Sequence, residues 1–164
     1  MKRFIFKFRT FNFDKFPKER GRLSSLFTFK LRCSKFFNCP IDLGKDYDIK
    51  QAGWVARTDR CCRALKKYQI WGLPDGIDIA DADTTVDPAD EAAWSAEMLS
   101  KGWRILVNDN LSKNVNSDEH DGRVINDVLP SYSTTRYIRV NVYEAFNQSF
   151  FDFGEIELLA DFGN

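Results

Sequence analysis

Tyr137-Ile138-Arg139-Val140-Asn141-Val142-Tyr143 decides how the rest of the chain is read. Ile138, Val140 and Val142 fall on one face, and Tyr137, Arg139, Asn141 and Tyr143 on the other. This is the alternation of a half-buried strand. Gly154-Glu155-Ile156-Glu157-Leu158 repeats it, with Ile156 and Leu158 set against Glu155 and Glu157. Joined by the aromatic loop Phe146 to Phe151, the two stretches predict strands that close an antiparallel sheet. Their polar faces are expected to meet water, and Glu155 and Glu157 read as surface acids.

Working outward, the same period-two signal recurs. Phe4, Phe6 and Phe8 alternate with Ile5, Lys7 and Arg9, and Phe27, Phe29, Leu31 and Cys33 form a second such run. Further strands are expected over Ile49–Ala56, Tyr68–Trp71, Trp103–Val107 and Val124–Leu129. Helical character is confined to Glu91–Lys101, around Trp94 and Met98, and Asn108–Gly122 reads as polar and turn-like. About eight short strands separated by turns predict an all-β fold, an antiparallel β-sandwich or jelly roll. At 164 residues, 43% of them hydrophobic and 15% aromatic, the chain is expected to form one domain with a substantial core.

Charge divides the chain. Residues 1–39 hold eleven Lys/Arg against two acids, a net of +9, and the remaining 125 residues hold thirteen against twenty-two, a net of −9. Two mutually attracting parts of one domain explain this, and so does a basic arm for nucleic acid or membrane. The Phe residues at strand spacing favour the first reading, with core Phe and solvated Lys/Arg, over a stacking platform for single-stranded nucleic acid. No apolar run reaches the length of a membrane-spanning helix. Charges interrupt the first apolar stretch too early for a signal-peptide core. Cys33, Cys39, Cys61 and Cys62 lack zinc-ligand spacing and read as free or buried thiols, with a disulfide possible only in an exported protein.

The candidates for chemistry are few. Asp75, Asp78, Asp81, Asp83, Asp87, Asp90 and Glu91 crowd one long loop, but their spacing is not that of a calcium-binding EF-hand, so a solvated loop is expected. His120, the lone histidine, lies in a polar stretch between Glu119 and Asp121, where solvation is its ordinary role. No phosphate-binding loop or nucleophile motif is present. The chain is read as not an enzyme.

Five stretches in order carry a family resemblance. They are Ile41-Asp42-Leu43-Gly44-Lys45, Ile49 to Arg57, Lys67-Tyr68-Gln69-Ile70-Trp71-Gly72, Arg136-Tyr137-Ile138-Arg139-Val140 and Gly154-Glu155-Ile156-Glu157-Leu158. Together they resemble discoidin domains, the coagulation factor V/VIII type C group of galactose-binding-like jelly rolls, in the form common among surface proteins of gut Bacteroidetes. The likeness spans residues 41–160 and leaves residues 1–40 as atypical basic, Phe-rich N-terminal strands ahead of a sandwich over 41–164. It implies an eight-stranded jelly roll, an extracellular or cell-surface setting, and a non-catalytic module that binds carbohydrate through loops at one end. Glu155 matches the family's C-terminal acidic calcium position. Residues 1–40 hold neither the Trp nor the Asp-Gly of its N-terminal partners, so no cofactor is expected beyond a possible structural calcium.

Sugar sites pair an aromatic face with a few hydrogen-bonding side chains. Two loops supply these: Arg57, Asp59, Arg60 and Arg63 after the Trp54 strand, and Asn147, Gln148, Phe150 and Phe151 before the last strand. Two functions are therefore expected to compete. One is a carbohydrate-binding module that targets a larger surface or secreted protein to glycan. The other is a structural or protein-interaction sandwich without sugar binding. Nucleic acid is a distant third.

Overall fold

The computed structural model of this 164-residue chain describes residues 2–7, 40–55, 65–112, 123–129, 134–146 and 155–161. Seven strands and one helix make up the fold: β1 (Lys2–Lys7), β2 (Ile41–Val55), β3 (Leu65–Leu73), α1 (Glu91–Ser100), β4 (Arg104–Asn110), β5 (Arg123–Asp127), β6 (Thr134–Ala145) and β7 (Glu155–Asp161). Every pairing is antiparallel, in the order β1-β7-β2-β6-β3-β4, with β5 against β2 off that path. The architecture is thus the all-β antiparallel one that the alternation predicts. It has seven strands among the described residues, against the eight or so expected.

β2 and β6 form a corner from which the two halves of the sandwich rise. The first part of β2 pairs with the first part of β6, Ile41 opposite Ile138 and Asp48 opposite Thr134. Beyond that shared segment the strands separate. Gln51–Val55 pair with β5 on one edge and with β7 on the other, while β6 continues alone along β3. A bulge between Asp42 and Tyr47 accommodates the bend. Gly44 sits in it at φ 87°, a left-handed conformation that only glycine adopts cheaply. The halves then face each other across the core. Trp54 of β2 meets Tyr68 of β3 edge to face, with ring centroids 6.2 Å apart. Ile49, Ala52, Leu65, Ile70, Leu106, Val107, Ile138, Val140, Ile156 and Leu158 fill the space around them.

A second layer covers the outer face of β3 and β6. Asp90 caps α1, its carboxylate accepting from the Ala93 amide at 3.2 Å, and Glu91 suits the positive end of the helix. The helix buries Trp94 and Met98 against Trp71, Leu73, Ala82 and Trp103. Trp71 and Trp94 pack edge to face at 5.3 Å. Each large side chain so buried contributes about 1.5–3 kcal/mol, and this holds a short helix that its own propensity would not.

Several readings of the sequence are corrected here. β6 and β7 are not neighbours, because β2 runs between them and pairs with both. Alternation fixes which residues share a face, but not which strand lies alongside. The polar face of β6 does not meet water: Arg139 is 1% exposed and Asn141 5%, both on the side that α1 covers. Glu157, expected on the surface, is 1% exposed and paired with Arg123. Asn108–Asn110, read as turn-like, complete β4. The Phe27–Cys33 run, the four cysteines and His120 lie outside the described residues.

Candidate functional site

The residues that the sequence singles out for ligand binding, Arg57, Asp59, Arg60, Asn147, Gln148 and Phe150, lie outside the described residues. So does the side chain of Glu155, whose backbone opens β7. The strands that lead to them are described, and their register is informative. Val55, at the end of β2, pairs with both Glu155 and Arg123, the first residues of β7 and β5. Lys7, at the end of β1, also faces Glu155. In the opposing half, Leu65 at the start of β3 faces Ala145 at the end of β6, and Lys67 faces Asn110 at the end of β4. Trp54 touching Tyr68 brings these two groups of strand ends to one end of the sandwich. The connections through 56–64, 113–122 and 147–154 all leave from that end.

Ion pairs frame this loop end. Arg123 Nε reaches the buried Glu157 Oε2 at 2.5 Å across β5, β2 and β7, and Lys66 Nζ reaches Glu144 Oε2 at 2.6 Å between β3 and β6. Lys67 pairs with Glu91 at the start of α1 and lies 5.4 Å from the centre of the Tyr143 ring. That carboxylate raises the Lys67 pKa, and burial raises that of the Tyr143 phenol.

Between β4 and β5 the two halves approach without a backbone ladder, since β4 pairs with β3 and β5 with β2. Side chains close this seam. The buried Tyr68 hydroxyl donates to Asp109 Oδ2 at 3.1 Å and accepts from Asn126 Nδ2 at 3.0 Å. Asn126 Nδ2 also lies 3.3 Å from the same Asp109 oxygen. Burial, and then the neighbouring Asp109 charge, push the Tyr68 pKa well up, so the phenol stays protonated and acts as a donor. Sequence reasoning missed this trio because its members come from three strands. A signal was present all the same: Asp109 and Asn126 are polar residues on core-facing strand positions.

The corner end is built from opposite charges. Arg136 grips Asp42 through two bonds, Nε to Oδ1 at 2.9 Å and Nη2 to Oδ2 at 3.0 Å, and sends Nη1 to Asp75 Oδ1 at 2.9 Å. These bonds hold both carboxyls below their ordinary pKa range. Asp46 Oδ1 accepts from the Asp75 amide at 2.8 Å, which ties the bulge of β2 to the loop after β3.

The acidic loop is arranged as a cover for the sheet. Asp78, Asp83 and Asp87 turn back to cap the amides of Ala80, Thr84 and Ala89. Asp83 also takes Arg139 Nη2 at 3.0 Å, and the Arg139 guanidinium lies 4.9 Å from the Trp103 ring centre. Burial lowers the pKa of this arginine. Among the described residues no three His, Cys, Asp or Glu side chains are grouped to hold a metal ion. Among them, too, no helix is long and apolar enough to cross a membrane.

No family model, curated protein or solved structure matches the chain.

Proposed function

We propose that this protein is a non-catalytic binding module that holds a glycan at the loop end of its sandwich, in an extracellular or cell-surface setting. The observation that carries the reading is the register that gathers Val55, Leu65, Ala145 and Glu155 at one end. Both stretches that combine aromatic with hydrogen-bonding residues, around Arg57 and around Phe150, leave from there. A rigid antiparallel frame that presents several loops at one end is a common way to hold a ligand without catalysis. The discoidin-like spacing of the five sequence stretches points to the same use, with Glu155 as the residue through which calcium would act.

A glycan-array screen of the full chain, with and without calcium, tests the proposal. Binding is expected to weaken at least about tenfold on Arg57→Ala or Phe150→Ala, the loss of one good contact. Sensitivity to chelator that Glu155→Gln removes would assign the calcium role. A blank array from a folded sample overturns the glycan reading and moves the module to structural or protein-interaction work.

A further inference from the structure

The seam between β4 and β5 has a feature that closing a sandwich does not require. Closure is achieved by Asp109 Oδ2, the Tyr68 hydroxyl and Asn126 Nδ2. The Tyr68 proton goes to Asp109, and the Asn126 amide protons go to Tyr68 and Asp109. Two oxygens are left over, Asp109 Oδ1 and Asn126 Oδ1, and neither has a hydrogen-bond partner among the described residues. Both residues are partly buried. No Lys or Arg side chain among the described residues pairs with Asp109. Among the described residues the side-chain donors to this carboxylate are neutral, a phenol and an amide.

The position matters as much as the chemistry. Asp109 is next to last in β4 and faces Tyr68 in β3, and Asn126, in β5, faces Ala52 in β2. All three are within a few residues of the strand ends from which the 56–64 and 113–122 connections leave. Tyr68 is itself fixed by the Trp54 ring against it, so the oxygens are carried by rigid strands.

We propose that Asp109 and Asn126 form a hydroxyl-recognition subsite that accepts two hydrogen bonds from a neutral polyol, such as a vicinal diol of a sugar ring. The inference rests on the glycan reading above and gives it an anchoring pair. Since the donors are already engaged within the trio, the subsite offers acceptors only. A ligand that contributes hydroxyl protons satisfies both oxygens, and an anion is repelled. Hydrogen bonds to a partly buried carboxylate are among the stronger neutral-ligand contacts, and a ring diol pairs naturally with a carboxylate and an amide oxygen side by side.

The test is NMR titration of the full chain with D-galactose, D-glucose and D-mannose, and separately with lysine amide as a cationic probe. The readouts are the backbone amide of Asp109 and the side-chain amide of Asn126. At least one sugar is expected to shift both signals, and Asp109→Asn is expected to weaken that sugar about tenfold or more while the spectrum stays folded. Should Asp109→Asn fail to fold, Asn126→Asp supplies the second variant. It replaces the anchoring amide with a second charge and is expected to weaken the same sugar.

Each other outcome counts against a defined part of the idea. Sugars that shift loop-end signals but leave Asp109 and Asn126 unmoved overturn the subsite and leave the glycan reading standing. Sugars that shift nothing remove both. Lysine amide that binds in their place, with a salt-sensitive dependence on Asp109, overturns the assignment to hydroxyls.

Discussion

The two ends of this sandwich satisfy their carboxylates in different ways. At the corner end Asp42 and Asp75 share the Arg136 guanidinium, and its bonds join β2, β6 and the loop after β3. At the loop end Asp109 is held through Oδ2 by a phenol and an amide, and its Oδ1 has no partner among the described residues. The contrast separates two kinds of polar group. A carboxylate matched by a cation with bidentate geometry serves architecture. One oriented by neutral donors keeps its charge for something else.

The largest expected effect tests how rigid the loop-end frame is. Gly53 in β2 pairs with Ile125, and a Cβ placed there would stand 1.9 Å from the Val124 carbonyl oxygen. Backbone cannot yield as a flexible side chain does, so Gly53→Ala is expected to destabilise by about 3 kcal/mol in urea denaturation. At the corner, a Cβ on Gly44 meets nothing within 4 Å, and only its φ of 87° opposes substitution. Gly44→Ala is expected to cost about 1 kcal/mol. Equal losses would mean that the β2–β5 contact is looser than its register implies.

The covered outer face offers the next contrast. Arg139 is buried under α1 while its partner Asp83 is 66% exposed. Asp83→Ala removes an exposed side chain yet leaves a buried cation without its carboxylate, and is expected to cost about 2 kcal/mol. Arg139→Met removes the cation instead and puts a flexible apolar chain against Met98 and Trp103. Its melting is expected to stay within about 1 kcal/mol of the parent. Reversal of that order would show that the cation's contact with the Trp103 ring outweighs its desolvation.

This face also marks where sequence reading stops. Alternation in Tyr137–Tyr143 placed Ile138 and Val140 on the core face, and both are buried there. The same pattern assigns Arg139 and Asn141 to water, because it has no means of knowing that Trp94, Met98 and Trp103, far off in sequence, cover them. Glu157 is misread for the same reason, its cation Arg123 arriving from another strand. Strand neighbours are equally non-local: β2 separates β6 from β7, and nothing between Ala145 and Glu155 announces it. The candidate site fares similarly. The loops at Arg57 and Phe150 are legible as composition, whereas Tyr68, Asp109 and Asn126 become a group only when three strands are placed side by side.

Acid is expected to weaken the corner. Asp42 and Asp75 have their pKa values lowered in the folded state, chiefly by hydrogen bonds from Arg136. A depressed carboxyl contributes stability that is complete above its unfolded value, near pH 4, and is lost as the pH falls through the folded one. Thermal stability of the parent is therefore expected to fall as the pH drops below about 4. Arg136→Gln is expected to lower stability at neutral pH and to flatten that acid limb. The limb does not vanish, because Glu97 and Glu144 are depressed as well, by Thr84 and Lys66. A variant with the parent's slope would take the clamp out of the acid response.

The smallest change in stability is expected where the functional consequence is greatest. Asp109→Asn keeps the shape of the side chain and can still accept from Tyr68, so thermal unfolding is expected to move by no more than about 1 kcal/mol. If the open oxygen exists for a ligand, the same substitution removes the charge that orients hydroxyls, and sugar affinity falls while the fold does not. If Asp109 serves only to close the seam, the order reverses: stability drops and there is no affinity to lose. Measured on one sample by melting and by titration, this variant separates a seam that closes the sandwich from one that also holds a ligand.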